Sequence, residues 1–419
     1  MSDVAALTAY SPQRIAAASR ATYAAFIGAG FAFASWASRI PQVRSRLELS
    51  PAHLGLVLLA IAAGSVVALP ISGLILHRLN TRVTVTVMAF LLSAALCIVG
   101  VGYLGGVVPV LVGLFLLGFA NGAWDVAMNV QGADVERHLG KAIMPRYHAG
   151  FSLGTVFGAL IGAVMIALSV PVTAHLVGAA VVVAVVVPLM VRQFLPDPVH
   201  LDVDGESNSS APSTLARWRE PRTLLVGVFV LAFAFSEGTG NDWISVALID
   251  GYHAEAVVGT LGFAVFLTAM TVARWSGPGL LDRYGRVVVV RWLALVAVVG
   301  LILFVFSPNV PLAFVGALLW GTGTSLGFPV GMSAAADDPA AAAGRVSVVA
   351  SIGYCAFLGG PPLIGFLGSR VGVLHALTAV AVLLAIAMML ANALRPLSVT
   401  APVPTTESQV EVDRSATGR

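Results

Sequence analysis

Three carboxylates and one guanidinium interrupt stretches of this chain that are otherwise almost wholly apolar: Asp125, Glu237, Asp242 and Arg274. A charge at the centre of a membrane helix costs at least about 2.5 kcal/mol, so such a residue usually carries function. A buried carboxyl can exchange a proton, hold a cation or solute, or satisfy donors nearby, and an arginine can neutralise it. The amides Asn129 and Asn241 follow Asp125 and Glu237 by one helical turn, which places each acid and its amide on one face. For Glu237 two roles stand open. It serves proton or ligand traffic, or it satisfies backbone N–H groups freed where Gly238 and Gly240 loosen the helix. Asp125 has a transport role or a structural ion pair as alternatives, with Arg274 as the available partner. His148 opens another apolar run and offers either a proton relay or a hydrogen-bonded residue at a membrane boundary.

Composition says what surrounds these groups. Of 419 residues, 58% are hydrophobic and only 10% charged, and the mean hydropathy is +0.92. A soluble domain carries about 25% charged residues, so most of this chain faces lipid or other buried helices. The small net charge of +3 comes almost wholly from arginines in polar connectors, which argues for membrane orientation and against nucleic-acid binding. Cys97 and Cys355 lie far apart in apolar runs and read as packing residues. The residue types imply neither a metal site nor a cofactor. "GFSLG" at 150–154 matches a hydrolase nucleophile elbow only in letters, because it lies inside an apolar span with no strand before it. Gly154, Gly158 and Gly162 instead form a stripe along which another helix can approach. The glycine-rich run at 321–327 follows no strand and is no nucleotide loop, so the chain does not read as an enzyme.

A span needs about 20 apolar residues, and twelve are expected, at 19–38, 52–76, 83–104, 108–130, 147–168, 171–192, 223–246, 256–281, 287–307, 310–333, 346–368 and 372–394. The fold class is therefore an all-α membrane protein. Two six-helix bundles, 1–194 and 222–395, flank a polar central linker at 195–221, and a disordered tail follows at 396–419. The first span reads as uncleaved. With the N-terminus inside, 18 of the 23 basic residues fall on the cytoplasmic side, which sets both termini there. The halves echo each other: Gly55 recurs as Gly259, Ser72-Gly73 as Ser276-Gly277, Gly118 as Gly321, and "LIG" at 160–162 as "LIG" at 363–365. Parallel repeats of this kind mark transporters whose site lies at the repeat interface near the midplane.

The loop "GLLDRYGRVVVV" at 279–290 resembles the signature of the major facilitator superfamily, in which Asp282, Arg283, Gly285 and Arg286 form a tight, charged turn. The corresponding loop of the first half, "GLILHRLNTR" at 73–82, has His77 at the acid's place and Asn80 at the turn glycine's. Within the superfamily, "ANGAWDVAMNV" followed by "YHAGFSLGTVFGALIG" resembles the fucose-permease-like branch, including uncharacterised bacterial carriers of the YbjJ kind. In proton–sugar symporters of that branch an acid on helix four works with one on helix one. Asp125 falls on the first position, and Ala37 stands at the second. In the resembled fold, spans one, four, seven and ten line the cavity, and these carry Trp36, Trp124, Trp243 and Trp320. Trp124 and Trp320 lie deeper and suit stacking on a ligand. Trp36 and Trp243, near span ends, fit an interfacial belt.

The resulting expectation is a monomeric secondary transporter of the bacterial plasma membrane that works by alternating access. It is driven most naturally by protons and carries a small polar neutral solute such as a sugar, with the lipid bilayer as its surroundings. Glu237 is the first choice for the coupling or ligand-binding acid and Asp125 the second. An efflux pump for cationic or amphipathic compounds and a membrane receptor or scaffold without transport are the alternatives. Two gates are also expected. Asp125 and Arg274 approach each other, directly or through His148, when the cytoplasmic side closes. Arg39 and Asp242, which are 203 residues apart, either pair at the outer mouth in an inward-facing state and part in an outward-facing one, or are two unrelated interfacial charges facing water.

Overall fold

The computed structural model describes residues 10–140, 143–197, 214–338 and 341–397. Residues 198–213 of the expected linker and 398–419 of the expected tail lie outside that set.

The first half comprises α1 (Pro12–Ala37), α2 (Ile40–Arg46), α3 (Pro51–Gly102), α4 (Val107–Leu139), α5 (Met144–Ala167) and α6 (Val172–Val191). After α7 (Thr214–Arg217) the second half follows as α8 (Pro221–Tyr252), α9 (Ala256–Tyr284), α10 (Arg286–Phe306), α11 (Val310–Thr324), α12 (Gly327–Ala335), α13 (Ala342–Val371), α14 (Val373–Ala376) and α15 (Thr378–Leu390). Among the described residues, ten helices are long and apolar enough to cross a membrane. The 52-residue α3 is two helices merged across a break at Asn80, and α1 stands outside the ten. Large apolar side chains such as Leu56, Val67, Val181 and Val299 remain exposed on these helices, as expected where the solvent is lipid.

Asn80 has φ 60 and ψ 168, a positive-φ conformation that is nearly confined to glycine. Its Oδ1 accepts the Val83 N–H at 2.9 Å and so caps the next helix. The acid missing from this loop comes from elsewhere in the chain. Asp197, just beyond α6, accepts the Thr81 N–H at 2.7 Å and also the Thr81 hydroxyl.

In the first half α3 packs on α4 and α6, and α1 on α5, where the glycine stripe seats it. In the second half α8 packs on α9 and α13, and α10 on α11. Across the halves α3 meets α13 and α5 meets α9. Because the helices alternate in direction, the chain's two described ends share one face, here called the terminal face. The α1–α3 connection lies on the opposite, far face.

On the terminal face Glu220 precedes α8 and accepts from Arg345 (2.7 Å), Thr223 (2.8 Å) and Arg217. Burial alone raises its pKa, but the bonds from Arg345, Arg217 and Thr223 outweigh that and pull it from 4.5 to about 2. A carboxylate depressed in the folded state stabilises fully above its unfolded pKa, and this contribution fades as pH falls toward the folded value. Glu220→Gln is therefore expected to lower the thermal midpoint at neutral pH, with the gap to wild type closing on acidification. A gap that stays constant through the acid range contradicts this account.

Candidate functional site

Glu237 lies in the middle of α8 and Arg274 in the terminal half of α9, on two antiparallel neighbours. The helices bring an Arg274 terminal nitrogen to 2.7 Å from the Glu237 carboxylate, with both side chains about four-fifths buried (23% and 21% exposed). The pair accounts for an acid among phenylalanines: each charge offsets the other's desolvation, which neither would survive cheaply alone. Arg274 has two further acceptors. Its Nε donates to the Ser325 carbonyl at 2.9 Å, and its other terminal nitrogen makes a longer contact, 3.4 Å, to Ser152 Oγ on α5 of the opposite half. The Ser325 carbonyl is free for a local reason. The span expected at 310–333 breaks between α11 and α12, and the N–H that would close on Ser325 in a continuous helix belongs to Pro329, which has none.

Arg274 therefore pairs with Glu237 here, whereas sequence reading allowed Asp125 as its partner. Asp125 is half-buried on α4; Asn129 Nδ2 donates to its carbonyl at 2.7 Å and to its carboxylate at 3.2 Å. Tyr354 of α13, from the other half, lies within electrostatic reach of Asp125, as His148 does of Arg274. The His148 ring stands edge-on to Phe26 at 5.1 Å. Asn241 follows Glu237 by one turn, and its buried Oδ1 has no partner among the described residues.

The tryptophans are not where stacking needs them. Trp320 is fully buried, donates its indole N–H to Ser236 at 2.8 Å and packs between Phe266 and Phe304. Trp124 is equally buried. Neither ring offers a face to a solute in this arrangement. Trp36 and Trp243 are buried too, at 1% and 0% exposure, which removes them from an interfacial belt.

The expected Arg39–Asp242 contact is absent at the far face. Arg39 is 2% exposed and turned into its own half, donating from Nε to His175 Nδ1 (2.9 Å) and from a terminal nitrogen to the Val170 carbonyl (3.1 Å). Asp242 has neither an ion pair nor a hydrogen bond among the described residues. The cross-half ion pair at this end is Arg44 of α2 with Asp250 of α8, at 2.6 Å. With 19% and 32% of these side chains exposed, the pair is worth about 1 kcal/mol or less. Arg44→Asp and Asp250→Arg are each expected to slow transport a few-fold, and the double reversal to recover most of the loss. A double variant no better than the worse single one rules out the clasp.

The charged turn between α9 and α10 is built around Gly285, whose φ of +76 excludes most side chains. Arg286 donates to both oxygens of Asp337 at 2.7 Å, and Arg222 reaches the same carboxylate at 2.7 Å. Asp282, expected to cap and pair in this loop, is exposed and forms no ion pair among the described residues, and Arg283 lies over the Tyr284 ring. Asp337 is thus the acid that ties the turn. Sequence reading missed Ser152, Ser325, Asp337, Arg44, Asp250 and Asp197. Only Ser325 had a visible signal, the proline four residues on.

Comparison with known proteins bears on this geometry. The uncharacterised transporter y4wD of Sinorhizobium fredii is 29% identical over 350 residues, covering 83% of this chain and 90% of that protein. Among solved structures, a bacterial homologue of the lysosomal transporter Spinster superposes with a TM-score of 0.72 at 13% identity, over 92% of this chain and 98% of that one. The E. coli fucose:proton symporter FucP superposes with a TM-score of 0.59 at 15% identity, over 90% and 98%. Residues 15–358 match the Major Facilitator Superfamily, and the chain, an all-helical membrane protein with that superfamily's fold, belongs to it.

Proposed function

We propose that this protein is a secondary transporter, not an enzyme, that works by alternating access, couples to protons and carries a small polar neutral solute such as a sugar. The observation that carries this reading is the Glu237–Arg274 pair. It is an acid–base pair inside the helical core, and its arginine also touches the opposite half through Ser152. Protonating Glu237 would release Arg274, and a bound solute would compete for the same donors, so proton and solute can act on one contact. The chain holds no nucleotide-binding motif, which favours an ion gradient as the energy source. Likeness to a fucose:proton symporter supports a sugar-like cargo. Asn129, Asn241 and Tyr354 supply the neutral hydrogen-bonding groups that hydroxyls require.

The excess of basic residues on the terminal side supports a cytoplasmic terminal face in a bacterial plasma membrane, with residues 1–194 and 222–395 acting as the two moving bundles of a monomer. The far face, where Arg44 pairs with Asp250 and Gly55 packs on Pro361, is then the outer mouth, closed in this arrangement. The test is uptake of a panel of neutral sugars and polyols into proteoliposomes under an imposed proton gradient. Accumulation that collapses with a protonophore is the expected result, and no accumulation of any panel member defeats the reading. A second reading rests on Asp125 and Asp242, which have no cationic partner among the described residues. Such acids would suit export of organic cations. Drug susceptibility of a deletion strain, together with cation-driven proton movement in the same vesicles, decides for it.

A further inference from the structure

We infer that Arg274 is a strut between the two halves, aimed by the carbonyl that Pro329 leaves free, and that it passes the charge state of Glu237 to the seam between α5 and α9. The inference rests on the proton-coupling reading of Glu237 and adds the residues that transmit it.

The geometry has three anchors. Nε is fixed on the Ser325 carbonyl at 2.9 Å, one terminal nitrogen on Glu237 at 2.7 Å, and the other extends 3.4 Å to Ser152. A guanidinium is planar, so holding Nε and one terminal nitrogen fixes the direction of the other. Of the three acceptors, two belong to the second half and one to the first, on helices packed together at the seam. The contact to Ser152 is the longest, and it is the one that must yield when the halves move. Glu237 decides how firmly the guanidinium is held. As a carboxylate it forms a charge-assisted bond, and once protonated it loses much of that hold. The charged or titratable groups facing Arg274 are Glu237 from α8 and His148 from α5, one turn before Ser152. The Ser325 carbonyl is neutral and does not titrate.

Pro329 has a distinct part. In a continuous helix the residue-329 N–H would occupy the Ser325 carbonyl, and Arg274 would lose its fixed point. Pro329→Ala supplies that N–H and favours the helix, so the variant is expected to fold.

The test uses protons alone as the ligand. Spin labels at Pro145→Cys and Tyr284→Cys, on the terminal ends of α5 and α9, report the seam in a background with Cys97 and Cys355 replaced by alanine. In the wild type the distance distribution is expected to shift between alkaline and acidic buffer. Glu237→Gln should hold it at the acidic distribution in both. Pro329→Ala, Ser152→Ala and Arg274→Lys should each cut the pH-dependent shift by more than half, although all three keep Glu237 and Arg274→Lys also keeps the charge. A purely structural role would change stability and leave the pH response intact. If Glu237→Gln abolishes the response while Pro329→Ala and Ser152→Ala retain it in full, the strut is wrong and proton coupling through Glu237 survives. If Glu237→Gln itself responds like the wild type, both fall.

Discussion

Glu237→Gln is expected to abolish accumulation of solute against a gradient while leaving expression and downhill exchange largely intact. Glutamine keeps the shape and an acceptor oxygen for Arg274, which now stands 2.7 Å from the carboxylate, but it cannot take up and release a proton. With one proton per solute, a step of one pH unit supports about tenfold accumulation, since it is worth about 1.4 kcal/mol. The variant should reach only equal concentrations on both sides. The folding cost should be modest, because Arg274 keeps the Ser325 carbonyl and is partly exposed. Arg274→Ala makes the informative contrast. It leaves Glu237 without its cation and should lower stability as well as transport. Wild-type accumulation by Glu237→Gln under a proton gradient would remove Glu237 from the coupling step.

How much of this was legible in the sequence depends on what each residue's neighbours had to be. Hydropathy located the helices well, because length and apolarity are properties of a segment by itself. The Asn80 turn was not legible, since the loop lacks the turn glycine and the usual acid, and Asp197, which supplies the acid, comes from beyond α6. Pairing across helices was less visible. Three interior acids and one arginine leave the partner undetermined, and only the setting of α8 against α9 selects Glu237. The tryptophans failed for a related reason. Helices that are apolar nearly all round have no stripe to say which side faces the cavity, so Trp124 and Trp320 turned out to be core residues. The Arg39–Asp242 idea took equivalence between repeats for contact. α2 follows Arg39 as an extra short helix, which carries Arg44 to the rim and leaves Arg39 facing His175.

Gly55→Leu is expected to stop transport by preventing the far face from closing. At the start of α3, a Cβ on Gly55 would stand 2.4 Å from the Pro361 carbonyl oxygen and 3.1 Å from the Pro362 Cα. The contact is reciprocal: a Cβ on Gly365 of α13 would stand 2.5 Å from the Pro51 carbonyl oxygen. The opposing atoms are backbone, so no rotamer change relieves the clash, and the helices must separate. Overpacking of this kind costs about 1–3 kcal/mol in a fixed core. Here it falls on one conformation alone, so it shifts the population away from the far-closed state by about fivefold to a hundredfold. Transport requires both states and should fall accordingly, while the folded yield should not. Spin labels at Arg46→Cys and Ser369→Cys across the far face should report a longer distance in Gly55→Leu and Gly365→Leu. Gly73→Leu on the same α3 is the control, since a Cβ there meets nothing within 4 Å. It should transport like the wild type. If Gly55→Leu shows an unchanged far-face distance and wild-type transport, closure does not depend on this glycine contact, and the ion pair between Arg44 and Asp250 must hold the mouth without it.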